Sequence, residues 1–167
     1  MSGPRSRPRK SREVRPARLL IVGLGNPLMG DDGFGQAVVD GFKKSAPPDG
    51  VRVEVLAGDI LGLADLWKGE TDVWLVDAVS GGPIPGSLRV LNHRQLLDLP
   101  ANGSSAHRLS LSENLRWLLH ARPEMAAISF RLYGVEIGTP HPELGLSPEV
   151  TAATDRLVET LRVATSA

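Results

Sequence analysis

The chain contains no cysteine, which removes disulfide bonds, thiolate metal sites and a cysteine nucleophile from consideration. Aromatic residues are scarce, with three Trp, three Phe and one Tyr in 167 residues, so aliphatic side chains have to build most of the core. No apolar run approaches the roughly 20 residues of a membrane-spanning helix. There is no net charge, with 19 basic against 19 acidic residues, but the charges are unevenly placed. Residues 1–18 hold seven Lys/Arg and one Glu, and the remainder carries a matching acidic excess. Residues 1–17, rich in Arg, Pro and Ser and without apolar periodicity, read as a disordered basic arm. They lack the apolar stretch of a secretory signal. Residues 18–167 read as one domain, long enough for a real core. Its acidic balance argues against a nucleic-acid groove. These features suit a cytoplasmic protein with neither nucleic acid nor membrane as partner; a monomer is the expectation, although composition leaves the oligomeric state open.

What is present is a regular alternation of strand and helix patterns. Arg18–Val22 reads as a buried strand, and Gly23-Leu-Gly-Asn-Pro27 as a sharp turn. A helix follows from Asp31-Asp32, with apolar positions at Phe34, Ala37, Val38, Gly41 and Phe42. Val51–Leu56 alternates apolar and charged residues, the pattern of a half-wet strand near a sheet edge. A short helical segment ends near Trp67. Val73–Val79 is apolar except for Asp77, as in an interior parallel strand, and Ser87–Asn92 reads as another strand. Residues 94–107 read as mostly irregular. A helix follows the Ser110/Glu113 capping-box pattern, then a strand over Ala126–Val135. A last helix begins at Ser147-Pro148-Glu149 and buries Val150, Ala153, Leu157 and Leu161. This alternation predicts a three-layer α/β/α sandwich around a twisted, mostly parallel sheet of about five strands, of the phosphorylase/hydrolase-like kind. With right-handed crossovers the local strand order is second-first-third. That order opens a crevice at the carboxyl ends of the first and third strands.

The candidate chemistry lies around that crevice. Asp31 and Asp32 stand on one side and Asp77 on the other. Burying Asp77 among Val, Trp and Leu is costly unless it is paired or ligated. Each acid also has a plainer use: Asp77 as a strand-end cap, and Asp31 or Asp32 as the N-cap of the first helix. Among the four histidines, His107 lies in a loop leading into a helix and is able to face the crevice. His93 reads as an exposed loop residue, His120 as a solvated helix end and His141 as a rigid loop element. Asp32, Asp77 and His107 together offer oxygen and imidazole ligands suited to a hard or borderline divalent ion. Gly33 and Gly35 would allow another chain to approach the backbone closely.

Gly23-Leu-Gly-Asn-Pro-Leu28 followed by Asp31-Asp-Gly-Phe-Gly35 resembles the signature of the nickel–iron hydrogenase maturation endopeptidases, Gly-x-Gly-Asn-x-Leu-x-x-Asp-(Asp/Glu)-x-x-Gly, at every fixed position. Leu75-Val-Asp77-Ala78 is similar to the family's second acidic motif. His107 with Leu109 and Leu111 resembles its histidine segment, and Gly145-Leu-Ser-Pro148 its last loop. The resemblance implies a peptidase domain over residues 18–167. It implies an endopeptidase that removes the C-terminal extension of the hydrogenase large-subunit precursor after nickel is inserted. The precursor would be the partner. Its nickel would be contacted by Asp32, Asp77 and His107, the implied catalytic set, with no organic cofactor. Asn26, Asp31, Gly33, Gly58 and Asp59 are the supporting or substrate-binding candidates. The chain departs from the family where Asp-Gly-Gly-Thr-x-Gly is usual. Here Ala57-Gly-Asp-Ile-Leu-Gly62 keeps only Gly58 and Gly62. Three rivals remain. A non-proteolytic maturation factor on the same fold is one. A peptidyl-tRNA hydrolase is another, although acids stand where its catalytic His would be. In a dinucleotide-binding module Leu28 occupies the third glycine position.

Overall fold

A computed structural model describes residues 17–80, 82–99 and 111–166; most of the basic arm, and His107, lie outside these. The elements are β1 (Leu19–Leu24), α1 (Phe34–Lys44), β2 (Val51–Leu56), α2 (Leu63–Leu66), β3 (Asp72–Ser80), β4 (Leu88–Asn92), α3 (His93–Leu97), α4 (Leu111–Ala121), β5 (Ser129–Ile137) and α5 (Pro148–Thr165). The sheet order is β2-β1-β3-β5-β4. Four strands run parallel, and β4 pairs antiparallel to β5. The expected order second-first-third is therefore observed, with β2 at one edge.

Strand alternation divides the core into two layers. Ile21, Val76, Val135 and Ile137 face α1 and α5, where Phe34, Val38, Phe42, Val150, Leu157 and Leu161 meet them. Leu20, Val22, Leu75, Phe130 and Leu132 face the opposite layer, with Leu63, Leu96, Leu115 and Leu118. The expected apolar face of the last helix is buried at all four positions. The wet face of β2 is less open than its pattern implies. Arg52 Nε lies 2.9 Å from the buried Glu70 carboxylate, which also accepts from Lys68 N. A half-buried ion pair thus ties the edge strand to the turn before β3.

Three boundaries differ from the sequence reading. Asp31 and Asp32 lie in a 3-10 turn over Gly30–Gly33, and the α-helix proper begins at Phe34. The stretch after Asn92, expected to be irregular, holds α3. Its capping box is built from Asn92 and Gln95, each side chain accepting from the other's backbone N–H. His93 is accordingly not a loop residue: its Nδ1 accepts from Phe130 N, and its ring packs on Phe130. Finally, β5 starts at Ser129, because a 3-10 turn over Pro123–Met125 precedes it.

One contact sets how α1 leaves β1. A Cβ at Gly35 would lie 2.2 Å from Leu24 O and 2.6 Å from Val76 O, and one at Gly23 would lie 2.3 Å from Gly35 O. The first turn of α1 therefore packs backbone to backbone against β1 and β3. Gly35→Ala is expected to destabilise the protein by more than about 3 kcal/mol, the range of forced overpacking against atoms that cannot move aside. Denaturant unfolding of the variant measures this.

Candidate active site at the carboxyl rim

The turn from β1 into α1 is built around the Asp32 backbone and carboxylate. Gly25 has φ +115°, and a Cβ there would meet Asp32 O at 2.0 Å. Only glycine fits that position. Asn26 N donates to both Asp32 O, at 3.1 Å, and Asp32 Oδ2, at 2.9 Å. Asn26 Oδ1 accepts from Leu28 N, so the exposed Asn26 side chain folds the turn beneath itself. Asp32 is 4% exposed, and an ionised carboxylate this buried has to be held by donors or a cation. The 3-10 turn that carries it packs on β3.

Asp77 lies one residue beyond the last β1–β3 pair, Gly23↔Val76, which places it at the carboxyl rim. Its position in the alternation puts its side chain on the face of Leu75 and Leu132 rather than on the α1 face. Oδ1 accepts from Ala78 N at 2.9 Å, and the residue is half-buried. The Gly35–Val76 contact holds the start of α1 against the residue before Asp77. Asp32 and Asp77 are thereby brought to the same end of the sheet, on the two sides of the switch-point crevice.

Asp31 has a different task. Oδ1 accepts from Ser147 N at 2.7 Å, and Oδ2 from Ser147 Oγ at 2.9 Å. Ser147 Oγ in turn accepts from Val150 N in the first turn of α5. The expected use of an Asp as the N-cap of α1 is not observed, since no side chain caps that helix. Asp31 instead clamps the cap of α5, and this junction bears on the rim. Gly30 N donates to Glu143 O, and Met29 and Glu143 form a parallel bridge. Beside it, His141 Nε2 meets Glu143 Oε2 at 2.5 Å and Nδ1 meets Thr139 O. The Thr139 carbonyl, then Glu143, hold the imidazole pKa above the ordinary value of 6.5.

The remaining supporting candidates are local. Gly33 is buried, and its Cβ would meet Pro27 Cα at 2.9 Å, so the chain that comes close to it is the protein's own. Asp59 Oδ1 accepts from Leu61 N and caps the 3-10 turn over Ile60–Gly62. Gly58, with φ +107°, precedes it. Both are exposed beyond the end of β2. Among the described residues no three His, Cys, Asp or Glu side chains gather to hold a metal ion; His107 is not one of these residues. A cleft of about 430 Å³ opens between Trp74 and Arg94, at the opposite end of the sheet from Asp32 and Asp77.

Residues 39–163 match the family model for the hydrogenase maturation protease HycI. The chain belongs to the hydrogenase maturation protease family. It is 35% identical to Protein FrxA of Pyrococcus furiosus over 132 residues, 78% of this chain and 93% of that one. It is 29% identical to the hydrogenase 2 maturation protease of Escherichia coli over 146 residues, 85% of this chain and 87% of that one. Among solved structures, the NiFe hydrogenase maturation protease HybD from Thermococcus kodakarensis superposes with a TM-score of 0.74 at 26% identity, over 89% of this chain and 99% of that one. The fold is that of these proteases, and the protein is a peptide hydrolase of hydrogenase maturation.

Removing the Asp31 clamp would leave a backbone N–H and a hydroxyl of Ser147 without their charged acceptor. Asp31→Ala is expected to cost about 2 kcal/mol, a fall of about 5 °C in melting temperature for a domain of this size; calorimetry measures it. The His141 clasp has the opposite sign of pH dependence from a carboxylate. Its pKa is raised on folding, so its contribution is full below pH 6.5 and fades as pH climbs through the raised value. The melting difference between the wild type and His141→Gln should therefore shrink from pH 5.5 to about pH 8.

Proposed function

We propose that this protein removes the C-terminal extension of a nickel–iron hydrogenase large-subunit precursor after nickel insertion, with Asp32, Asp77 and His107 contacting the nickel that the precursor carries. The observation that supports this most is that Asp32 and Asp77 stand at the same carboxyl end of the sheet in a chain of the maturation protease family. Two carboxylates and an imidazole are ligands suited to a borderline divalent ion. His107 precedes Leu111, the first residue of α4, by four positions. α4 covers the sheet face that carries Asp77. It then leads into β5, whose first residue lies at the amino end of the sheet. A helix returning in that direction starts near the carboxyl rim, which favours a histidine placed just before it.

In this reading the ion belongs to the substrate and fixes the precursor in the crevice. Asp32, held by Asn26 N, orients it from the turn side, and Asp77 orients it from the sheet side. A carboxylate not engaged by the ion is then placed to take a proton from the attacking water. The reading keeps residues 18–167 as one peptidase domain behind a basic arm, working as a monomer in the cytoplasm. Among the described residues no helix is long and apolar enough to cross a membrane.

Incubation with nickel-loaded precursor tests the proposal, with the large subunit followed by its loss of mass. Asp77→Asn, Asp32→Asn and His107→Ala should each lower the cleavage rate by about 100-fold or more, the scale of a lost orienting contact. Asp77→Asn should leave the melting temperature within about 2 °C. A precursor that is bound but never shortened by the wild type would favour the non-proteolytic factor instead. Full cleavage by Asp77→Asn would remove Asp77 from the site.

A further inference from the structure

The four parallel strands share a feature at their carboxyl ends. Each is followed by a segment that holds one large apolar side chain in solvent: Leu28 after β1, Leu61 after β2, Ile84 after β3 and Leu144 after β5. Their exposures run from 43% for Leu61 to 80% for Leu144. Apolar residues scattered singly over a surface need no explanation. These are not scattered. Half of the eight exposed large apolar residues among the described residues fall one to a strand along a single rim. With strands about 4.8 Å apart, the four strand ends span about 15 Å, well within the footprint of a protein interface.

Each of the four is held from beneath. Leu28 N donates to Asn26 Oδ1 at 3.0 Å, Leu61 N to Asp59 Oδ1 at 2.7 Å, and Ile84 N to Oε2 of the buried Glu136 at 3.3 Å. Ile84 also stands between Pro83 and Pro85, whose rings restrict the backbone on either side. Leu144 follows Glu143, whose carbonyl accepts from Gly30 N and which bridges Met29, the neighbour of Leu28. On a slack loop such side chains would fold back onto the core. Here the backbone beneath them is tied, so the rim keeps an apolar surface that needs little further ordering to bury against a partner.

Charge narrows the choice of partner. The same rim carries Asp32, Asp77 and the exposed Asp59. Two copies of this chain meeting rim to rim would set those carboxylates against one another. An apolar surface surrounding a cation meets both features at once. We infer that Leu28, Leu61, Ile84 and Leu144 form the docking surface for the folded large-subunit precursor, packing on apolar surface around the nickel ion. This rests on the reading above that the precursor is the partner.

Cleavage kinetics and equilibrium binding of nickel-loaded precursor would be measured for the wild type, Leu28→Ser, Leu61→Ser, Ile84→Ser and Leu144→Ser. Val163→Ser serves as the control, at an exposed apolar residue near the far end of α5. Because these side chains are exposed, every variant should melt within about 2 °C of the wild type. Each of the four rim variants should raise Kd and KM about tenfold, the scale of one apolar side chain returned to water, with kcat nearly unchanged. Val163→Ser should change neither, and Leu28→Met and Leu144→Met should recover most of the loss. A normal KM in any two of the four rim variants, or an equal rise in Val163→Ser, would overturn the inference and leave the protease reading in place. So would a wild type that sediments as a dimer at micromolar concentration and becomes monomeric in Leu28→Ser/Leu144→Ser, which would assign the rim to a second copy. Binding that the rim variants weaken, with no cleavage by the wild type, would uphold the docking surface and overturn the protease reading. A wild type that neither binds nor cleaves the precursor would overturn both.

Discussion

The contact between the first turn of α1 and the two strands beneath it constrains everything at the rim. Gly35 lies against Leu24 and Val76, and Gly23 against Gly35, at distances no side chain permits. That contact fixes the angle at which the chain leaves β1, and with it the position of the 3-10 turn bearing Asp31 and Asp32. It also fixes that turn relative to β3, because Val76 precedes Asp77. A buried carboxylate on a loop would otherwise drift or recruit water. Here backbone packing sets its place before any side chain contributes. The glycines therefore act through the backbone, by holding Asp32 and Asp77 to the same end of the sheet.

The acids at this end of the sheet are held by different partners. Asp31 accepts two hydrogen bonds from Ser147 and so locks α5 onto the turn. Glu136 holds the segment from Gly82 to Ser87 and the Arg89 guanidinium. Asp32 accepts from Asn26 N, within its own turn. Adjacent carboxylates repel, and the arrangement reduces that cost by turning Asp31 to Ser147 at the cap of α5 while Asp32 is held by Asn26 N. The Asp-Asp pair thus serves two elements, with Asp31 joining the last helix to the first turn and Asp32 closing the turn itself through Asn26.

Much of this was legible from residue order. The apolar run of β3, interrupted by a single Asp, and the alternation of β2 were enough to derive the strand order and the crevice. The periodicity of Val150, Ala153, Leu157 and Leu161 gave the buried face of α5. The role of Asp31 was not legible, because its partner Ser147 is 116 residues away and no local pattern announces a contact at that range. α3 departs from the sequence reading for a local reason: its capping box carries Asn92 where Ser or Thr is usual, with Gln95 at the third helical position. Spacing alone does not distinguish glycines that admit another chain from glycines packed on their own, and at Gly33 and Gly35 the close approach is internal.

The reversal of β4 has a consequence for the shape of the site. A parallel strand at the outer position would be followed at this rim by a loop leading into a helix, which would wall off the crevice. Because β4 runs the other way, it enters the sheet at the rim, and its chain leaves at the opposite end toward α3. The connection from β3 to β4 passes over the end of β5, and Glu136 of β5 holds it down. The β4 side of the rim is therefore crossed by this connection, and Arg89 beside it is exposed. The β1 side is raised by the turn at Gly25–Gly33 and by the loop bridged through Met29 and Glu143.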